Sequence, residues 1–265
     1  VNNNEFDNLV KIYSKLGNNY PTAISKAILD LTNQVINTPN DLLGVSYIKT
    51  ILTNNYKIEA ETIKRINNYH DDKLSGSISS ATAIREALKN KKDISESIPK
   101  DTINYYNKLH FIDDYYEILK YKILTTPDLT IYQTVDTGIA KALKKEVNKT
   151  NTIEELIKAV KSKFYTYNKI SRMLIHILCN FTKEEATKFN KITYIRVLGL
   201  NDNGRDYLNQ IKKTIDIPII SKITKNKDQM LEFELKTTEI YAIKDNDIIT
   251  REQSKIIYIG DDSND

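Results

Sequence analysis

The sequence predicts an α/β protein that is mostly helical. Apolar residues recur at helical spacing over most of the chain. Short β-branched runs, at 58–66, 194–200 and 217–220, fall only in its first and last thirds. Between Ser97 and about Asn190, helix signals stand almost alone. The expected plan is a short α/β segment, a helical middle and a small α/β end, divided at 1–95, 96–190 and 191–265.

Phe6, Leu9, Val10 and Tyr13 place a helix over Glu5–Lys15. Pro21 suits the first turn of a second helix reaching about Leu31, where no N–H partner is needed. Asn40 is expected to cap a helix over Leu42–Leu52, in which Gly44 offers room for a backbone or ligand to approach. Ile58–Ile66 reads as a strand, followed by a polar loop to Gly76. Ser79 and Ser80 then lead into a helix ending near Lys91. Thr152-Ile153-Glu154-Glu155 has the spacing of a capping box for a helix to about Lys163. Ile170, Met173, Leu174, Ile177 and Leu178 form a broad apolar stripe on the next helix. Tyr194–Leu200 predicts a buried strand, Gly204–Lys213 a helix, and Ile217-Pro218-Ile219-Ile220 a short strand with proline at its start or on an edge. Asp261–Asp265 is an acidic tail.

The 265 residues suit one large domain or two modest ones, and 40% hydrophobic with 28% charged residues excludes disorder throughout. A net charge of +4 and a pI near 8.8 are compatible with nucleic acid without demanding it. A lone cysteine, Cys179, excludes an internal disulfide framework and a multi-cysteine zinc site. Its neighbours Ile177, Leu178 and Phe181 mark it as a core residue. His70, His110 and His176 are too dispersed to suggest a metal centre. No apolar run approaches the roughly 18–20 residues of a membrane span, and the expectation is a cytosolic protein without membrane contact. The chain opens on Val1 and enters an amphipathic helix almost at once, so it is expected to be processed or a fragment.

Four stretches offer chemistry. Asn40, at a helix start, is either an ordinary cap or an amide presented beside phosphate-attracting N–H groups. Lys64-Arg65-Ile66, at a strand end, is either a solvated basic edge or a grip for phosphate or carboxylate, with His70-Asp71 just beyond. Ser79-Ser80-Ala81-Thr82-Ala83-Ile84-Arg85 puts hydroxyls, free N–H groups and an arginine around one helix start, a phosphate-binding arrangement or a capped surface helix. Lys158, Lys161, Lys163, Lys169 and Arg172, interleaved with Tyr165 and Tyr167, suit an RNA backbone and an unpaired base, or simply a solvated helix face.

Taken in order, several motifs give the chain a resemblance to the tRNA(Met) cytidine acetate ligase family. They are Pro39-Asn40-Asp41-Leu42-Leu43-Gly44, Ile63-Lys64-Arg65-Ile66 with Tyr69-His70-Asp71, and Ser80-Ala81-Thr82-Ala83-Ile84-Arg85. Farther on come Arg172-Met173 with His176-Ile177-Leu178, Tyr194-Ile195-Arg196-Val197-Leu198-Gly199, and Pro218-Ile219-Ile220-Ser221-Lys222.

The resemblance implies the C-terminal part of a nucleotidyltransferase-like Rossmannoid domain, a helical tRNA-binding domain and a small α/β domain. It implies ATP-dependent activation of acetate to acetyladenylate, then acetyl transfer to N4 of the wobble cytidine of elongator tRNA(Met). ATP is the co-substrate, with Mg2+. ATP contacts carry over to Asn40, Arg65 and the Ile66 backbone, and Ser80, Thr82 and Arg85 match the second phosphate-binding signature of the His-x-Gly-His superfamily. Lys161, Tyr167, Lys169 and Arg172 are the expected tRNA contacts.

The 265 residues contain no His-x-Gly-His motif. They are therefore expected to represent a family member lacking roughly its first hundred residues, about two-thirds of a domain at the usual size. On that expectation the chain alone would not form acetyladenylate, because the family histidines stabilise the departing pyrophosphate. The alternative is a non-catalytic RNA-binding or scaffold protein derived from the same family.

Overall fold

A computed structural model describes residues 4–63, 73–100, 102–103, 109–162, 164–223, 228–252 and 257–258. Its contacts separate two compact units, Val1–Lys108 and Leu109–Asp265. The helical middle from residue 109 onward and the C-terminal segment fall within the second, while 96–108 of the expected middle belong to the first.

In the first unit, α1 (Asn4–Lys15) packs against α2 (Tyr20–Thr32), burying Phe6 and Val10 against Ala23, Ile24, Ala27 and Ile28. The alanines let the helices approach closely, and the 3–4 residue spacing of the buried positions is the apolar stripe seen in the sequence. Asn19 caps α2 through a bond from the Thr22 N–H, and Asn33 ends it at φ 57°, in the left-handed region. Lys49 of α3 (Pro39–Thr53) reaches Asp7 of α1 at 2.7 Å.

The cap of α3 is Thr38, whose hydroxyl accepts from the Asp41 N–H at 3.2 Å and donates to the Asp41 carboxylate at 2.6 Å. Pro39 supplies the first helical φ, so Asn40 lies inside the first turn rather than capping it. A Cβ at Gly44 would meet no atom within 4 Å, so no neighbouring backbone uses the space there. Residues 58–63 form no strand, and Ile63 is 98% exposed. A strand needs a ladder partner, and the described part of this unit contains no strand to provide one. The remainder of the expected strand, 64–66, lies outside the described residues. α4 (Ala81–Lys89) buries Ala83 and Ala87.

The second unit contains eight α-helices among the described residues. α5 (Tyr116–Thr125), α6 (Thr137–Glu146), α7 (Ile153–Val160) and α8 (Tyr167–Leu178) share one core, and α9 (Lys183–Lys188) follows. Leu119, Ile123, Ile139, Leu143, Leu156, Ile157, Ile170 and Met173 are almost completely buried there. The buried Tyr116 hydroxyl lies within 3.0 Å of the Val147 and Thr150 carbonyls and the Thr150 hydroxyl. That network satisfies polar groups which would otherwise be stranded in the core.

Thr152 caps α7 as its spacing predicts, but Glu155 reaches past it to accept from the Asn151 N–H at 2.8 Å, so the box is not reciprocal. The same pattern at Thr182 and Glu185 does close reciprocally and opens α9. α7 stops at Val160, short of Lys163.

The predicted strand at 194–200 is two strands. β1 (Ile195–Arg196) pairs in parallel with β3 (Ile219–Ile220), joined across α10 (Asp202–Ile211). β2 (Gly199–Leu200) pairs in parallel with β4 (Ile257–Tyr258). Leu198, between them, is 68% exposed, so the run is not a continuous buried strand. At Gly199 a Cβ would stand 3.2 Å from the Ile257 carbonyl oxygen, so glycine permits this approach. α11 (Gln229–Tyr241) and α12 (Asp247–Glu252) complete the unit, and the acidic tail at 261–265 lies outside the described residues.

Candidate functional site

The start of α4 is the most organised polar feature of the first unit. Ser80 is buried, and its Oγ accepts from the Ala83 N–H at 3.0 Å. A short seryl network braces the loop before it. Ser79 Oγ accepts from the Ser75 N–H at 3.0 Å and meets Ser97 Oγ at 3.0 Å, while Ser97 donates to the Gly76 carbonyl at 2.7 Å. Gly76 at φ 79° makes the turn that permits these contacts. A pocket of about 120 Å3 lies beside the loop, lined by Leu74, Gly76 and Asp93–Ser97.

Thr82 and Arg85 project from the first turns of α4 into solvent, and no carboxylate pairs with Arg85 among the described residues. A rigid helix start thus presents uncommitted N–H groups, a hydroxyl and a guanidinium together, a combination suited to phosphate oxygens. Asn40 is exposed in the first turn of another helix, α3. Arg65, Ile66 and His70 lie outside the described residues.

In the second unit, Lys161 closes α7, while Tyr167, Lys169 and Arg172 are exposed on α8. At 100° per residue, Lys169 and Arg172 stand about 60° apart on one face, whereas Tyr167 points about 140° from Arg172. Lys158 is engaged by Glu154 at 2.7 Å, and Lys163 lies outside the described residues. Tyr165 is committed to Asp136 through hydrogen bonds of 2.6 and 2.7 Å. His176 stands on the Arg172 side of α8, but its Nδ1 lies 2.9 Å from the Gln133 carbonyl and its ring meets Phe181 edge-on, a structural post. Burial pushes the Cys179 thiol up, in keeping with a core residue.

Arg196, from the Tyr194–Gly199 motif, is likewise structural. Its Nη1 lies 2.5 Å from both Glu234 and Glu252, and Nη2 donates to the Glu252 carbonyl at 3.0 Å. Tyr194 donates to the other Glu234 oxygen, and burial together with that acceptor pushes its hydroxyl pKa up. Sequence reading missed this assembly, because its two acidic partners, Glu234 and Glu252, come from α11 and α12.

A predominantly helical chain with parallel strand pairs and a serine-capped start of α4 is compatible with a nucleotidyltransferase-like protein. The chain belongs to the HIGH Nucleotidyl Transferase family, whose model matches residues 1–255. It is 36% identical to the tRNA(Met) cytidine acetate ligase of Geobacillus sp. (strain WCH70), covering 90% of this chain and 64% of that protein. Identity to the ligase of Clostridium novyi (strain NT) is also 36%, with the same coverage. The chain thus spans about 64% of the length of these curated relatives. Its fold matches Thermotoga maritima TmcAL in the apo form with a TM-score of 0.81, at 22% identity over 97% of this chain and 71% of that one. The form bound with alpha-thio ATP matches with a TM-score of 0.78, at 22% identity over 97% and 70% of the two chains. Among the described residues, no helix is long and apolar enough to cross a membrane.

Proposed function

We propose that the chain belongs to a tRNA(Met) cytidine acetate ligase, and that it serves ATP-dependent acetylation of the wobble cytidine. The observation that carries this reading is 36% identity over 90% of the chain to relatives bearing that name. The exposed Thr82 and Arg85 at the Ser80-capped start of α4 support it chemically.

In the first step an acetate oxygen attacks the α-phosphorus of ATP, the bond to the β-phosphate oxygen breaks, and pyrophosphate leaves with that electron pair. Arg85 and the α4 N–H groups hold phosphate oxygens, with Asn40, Arg65 and the Ile66 backbone as the remaining nucleotide contacts. In the second step the N4 amine of cytidine attacks the acetyl carbonyl, AMP departs, and the nitrogen loses a proton. No group of three His, Cys, Asp or Glu side chains suited to a metal ion occurs among the described residues. Mg2+, where ATP carries it, commonly enters on the nucleotide's phosphates.

Residues 1–95 serve ATP, 96–190 serve tRNA through Lys161, Tyr167, Lys169 and Arg172, and 191–265 form the small α/β end. The protein acts on a soluble tRNA in the cytoplasm. The test is to express its natural reading frame and incubate the product with ATP, acetate and unmodified elongator tRNA(Met). Pyrophosphate release and N4-acetylcytidine in the nuclease digest are expected. Tight tRNA binding without either product would favour the RNA-binding or scaffold alternative.

A further inference from the structure

The second unit contains a cleft of about 380 Å3, within the usual size range of ligand pockets, and no acidic side chain lines it among the described residues. Its polar lining includes Lys122 of α5, Thr125, Thr126, Tyr132 and Asn180, the last of which follows α8 at φ 58°. Lys122 donates to Asn180 Oδ1, and the Tyr132 hydroxyl donates to the same oxygen at 3.2 Å. With its carbonyl oxygen engaged twice, Asn180 retains its amide N–H groups as donors.

Lys122 forms no ion pair among the described residues, although it is partly buried and its ammonium lies 5.7 Å from the Tyr132 ring centre. Burial and neighbouring Lys236 both pull its pKa down. Beside this donor pair the cleft has an apolar floor of Leu178, Ile240 and Ile243, and the exposed ring of Tyr121 stands at its wall. Cation, amide, flat aromatic ring and apolar floor match the parts of a nucleotide.

We propose that this cleft binds one phosphorylated nucleoside, with the phosphate on Lys122 and the Asn180 amide and the base against Tyr121. The nucleoside arrives either free or as an unpaired position of an RNA chain. The residues involved all belong to the second unit.

The test is calorimetric titration of the protein with cytidine 5′-monophosphate, with cytidine and with an unstructured oligocytidylate. Lys122→Met should weaken phosphate-bearing probes by about ten- to a hundredfold, the scale of a lost charge-assisted contact. It should leave cytidine unchanged. Tyr121→Ala removes an exposed ring without disturbing the core, and should weaken both phosphate-bearing probes by about fivefold or more. Variant-sensitive binding of the oligocytidylate alone assigns the nucleotide to an RNA chain. Variant-sensitive binding of the mononucleotide, displacing the oligomer, assigns a free nucleotide. The proposal is overturned if neither phosphate-bearing probe binds at millimolar concentration, if cytidine binds as well as its monophosphate, or if binding is indifferent to both substitutions. Because the readout is direct binding at Lys122, such a failure leaves acetate activation untouched.

Discussion

The Tyr165 hydroxyl stands 2.6 and 2.7 Å from the two carboxylate oxygens of Asp136. Asp136 Oδ1 also accepts from the Gly138 and Ile139 N–H groups that open α6. One carboxylate therefore ties the segment before α8 to the start of α6. The ring is held in place, with the Lys169 ammonium 5.0 Å from its centre, and is not free to swing out over a base.

The Tyr165 hydrogen bond is the leading cause holding the Asp136 carboxyl below its ordinary range. A depressed folded-state pKa contributes stability that is present above the unfolded value, about 3.9, and lost as pH falls through the folded value. Tyr165→Phe should cost about 1 kcal/mol at neutral pH, a modest figure because the pair is solvent-exposed. The gap from wild type should begin to narrow below about pH 4 and close only as pH falls through the folded-state value. Urea melts of both proteins at pH 7 and pH 3 check this, and an equal gap at both would refute the assignment.

Arg196 joins β1 to α11 and α12, with its side chain 13% exposed. Removing it leaves Glu234 and Glu252 facing each other without a cation. A fully buried pair broken in this way costs roughly 3–5 kcal/mol, but Glu234 is 39% exposed, so about 2–3 kcal/mol is expected for Arg196→Ala. Arg196→Lys should recover only part of it, since an ammonium cannot serve both carboxylates and the Glu252 carbonyl through a planar fork. Chemical denaturation of the two variants checks both magnitudes.

The Arg196 cluster shows why some features escape a sequence reading. Helical faces are legible because their information is local. Ile153, Leu156, Ile157 and Val160 recur at helical spacing, and all four are buried in α7. The start of α4 is legible for the same reason, as Ser80 caps an N–H three residues away. Two-residue strands are different, because Ile195 becomes β1 only by pairing with Ile219, across an intervening helix. The same non-locality hid the Lys122 cleft, whose walls come from α5, from Tyr132 and from the C-terminal ends of α8 and α11. At α3 the error was one of competing local rules. Asn40 and Thr38 are both capable caps, and Pro39 favours the threonine by taking the first helical position.

Arg85 is exposed and without a carboxylate partner among the described residues, so its removal should leave folding unchanged. Arg85→Ala and Arg65→Ala should each weaken the ATP-dependent step by about ten- to a hundredfold through loss of a charge-assisted contact. Arg65→Lys should not restore it fully, because a point charge lacks the two-pronged geometry. Ser80→Ala should act through structure, costing about 1 kcal/mol of stability as a lost cap. Pyrophosphate release across an ATP titration, read beside thermal melts, separates the two effects. Wild-type ATP dependence in both arginine variants would remove the phosphate assignment.

The basic face of α8 makes a prediction of another kind, because phosphate contacts are read through salt. Lys161, Lys169 and Arg172 have no ion-pair partner among the described residues, whereas Lys158 is held by Glu154. Each cation that displaces a counterion from the tRNA adds somewhat less than one unit to the slope of log affinity against log salt. Lys161→Ala/Arg172→Ala should therefore bind every tRNA more weakly and with a slope shallower by about one to two units. Lys158→Ala should change neither by as much, since its charge is already shared. Tyr167 points away from Arg172 on the helix, so it can serve the same RNA only by stacking a base on the opposite flank. If it does so, Tyr167→Ala costs ~1–3 kcal/mol with no change in slope. Titrations of tRNA(Met) at several salt concentrations distinguish these outcomes. An unchanged slope in the double variant would make this a solvated face of α8.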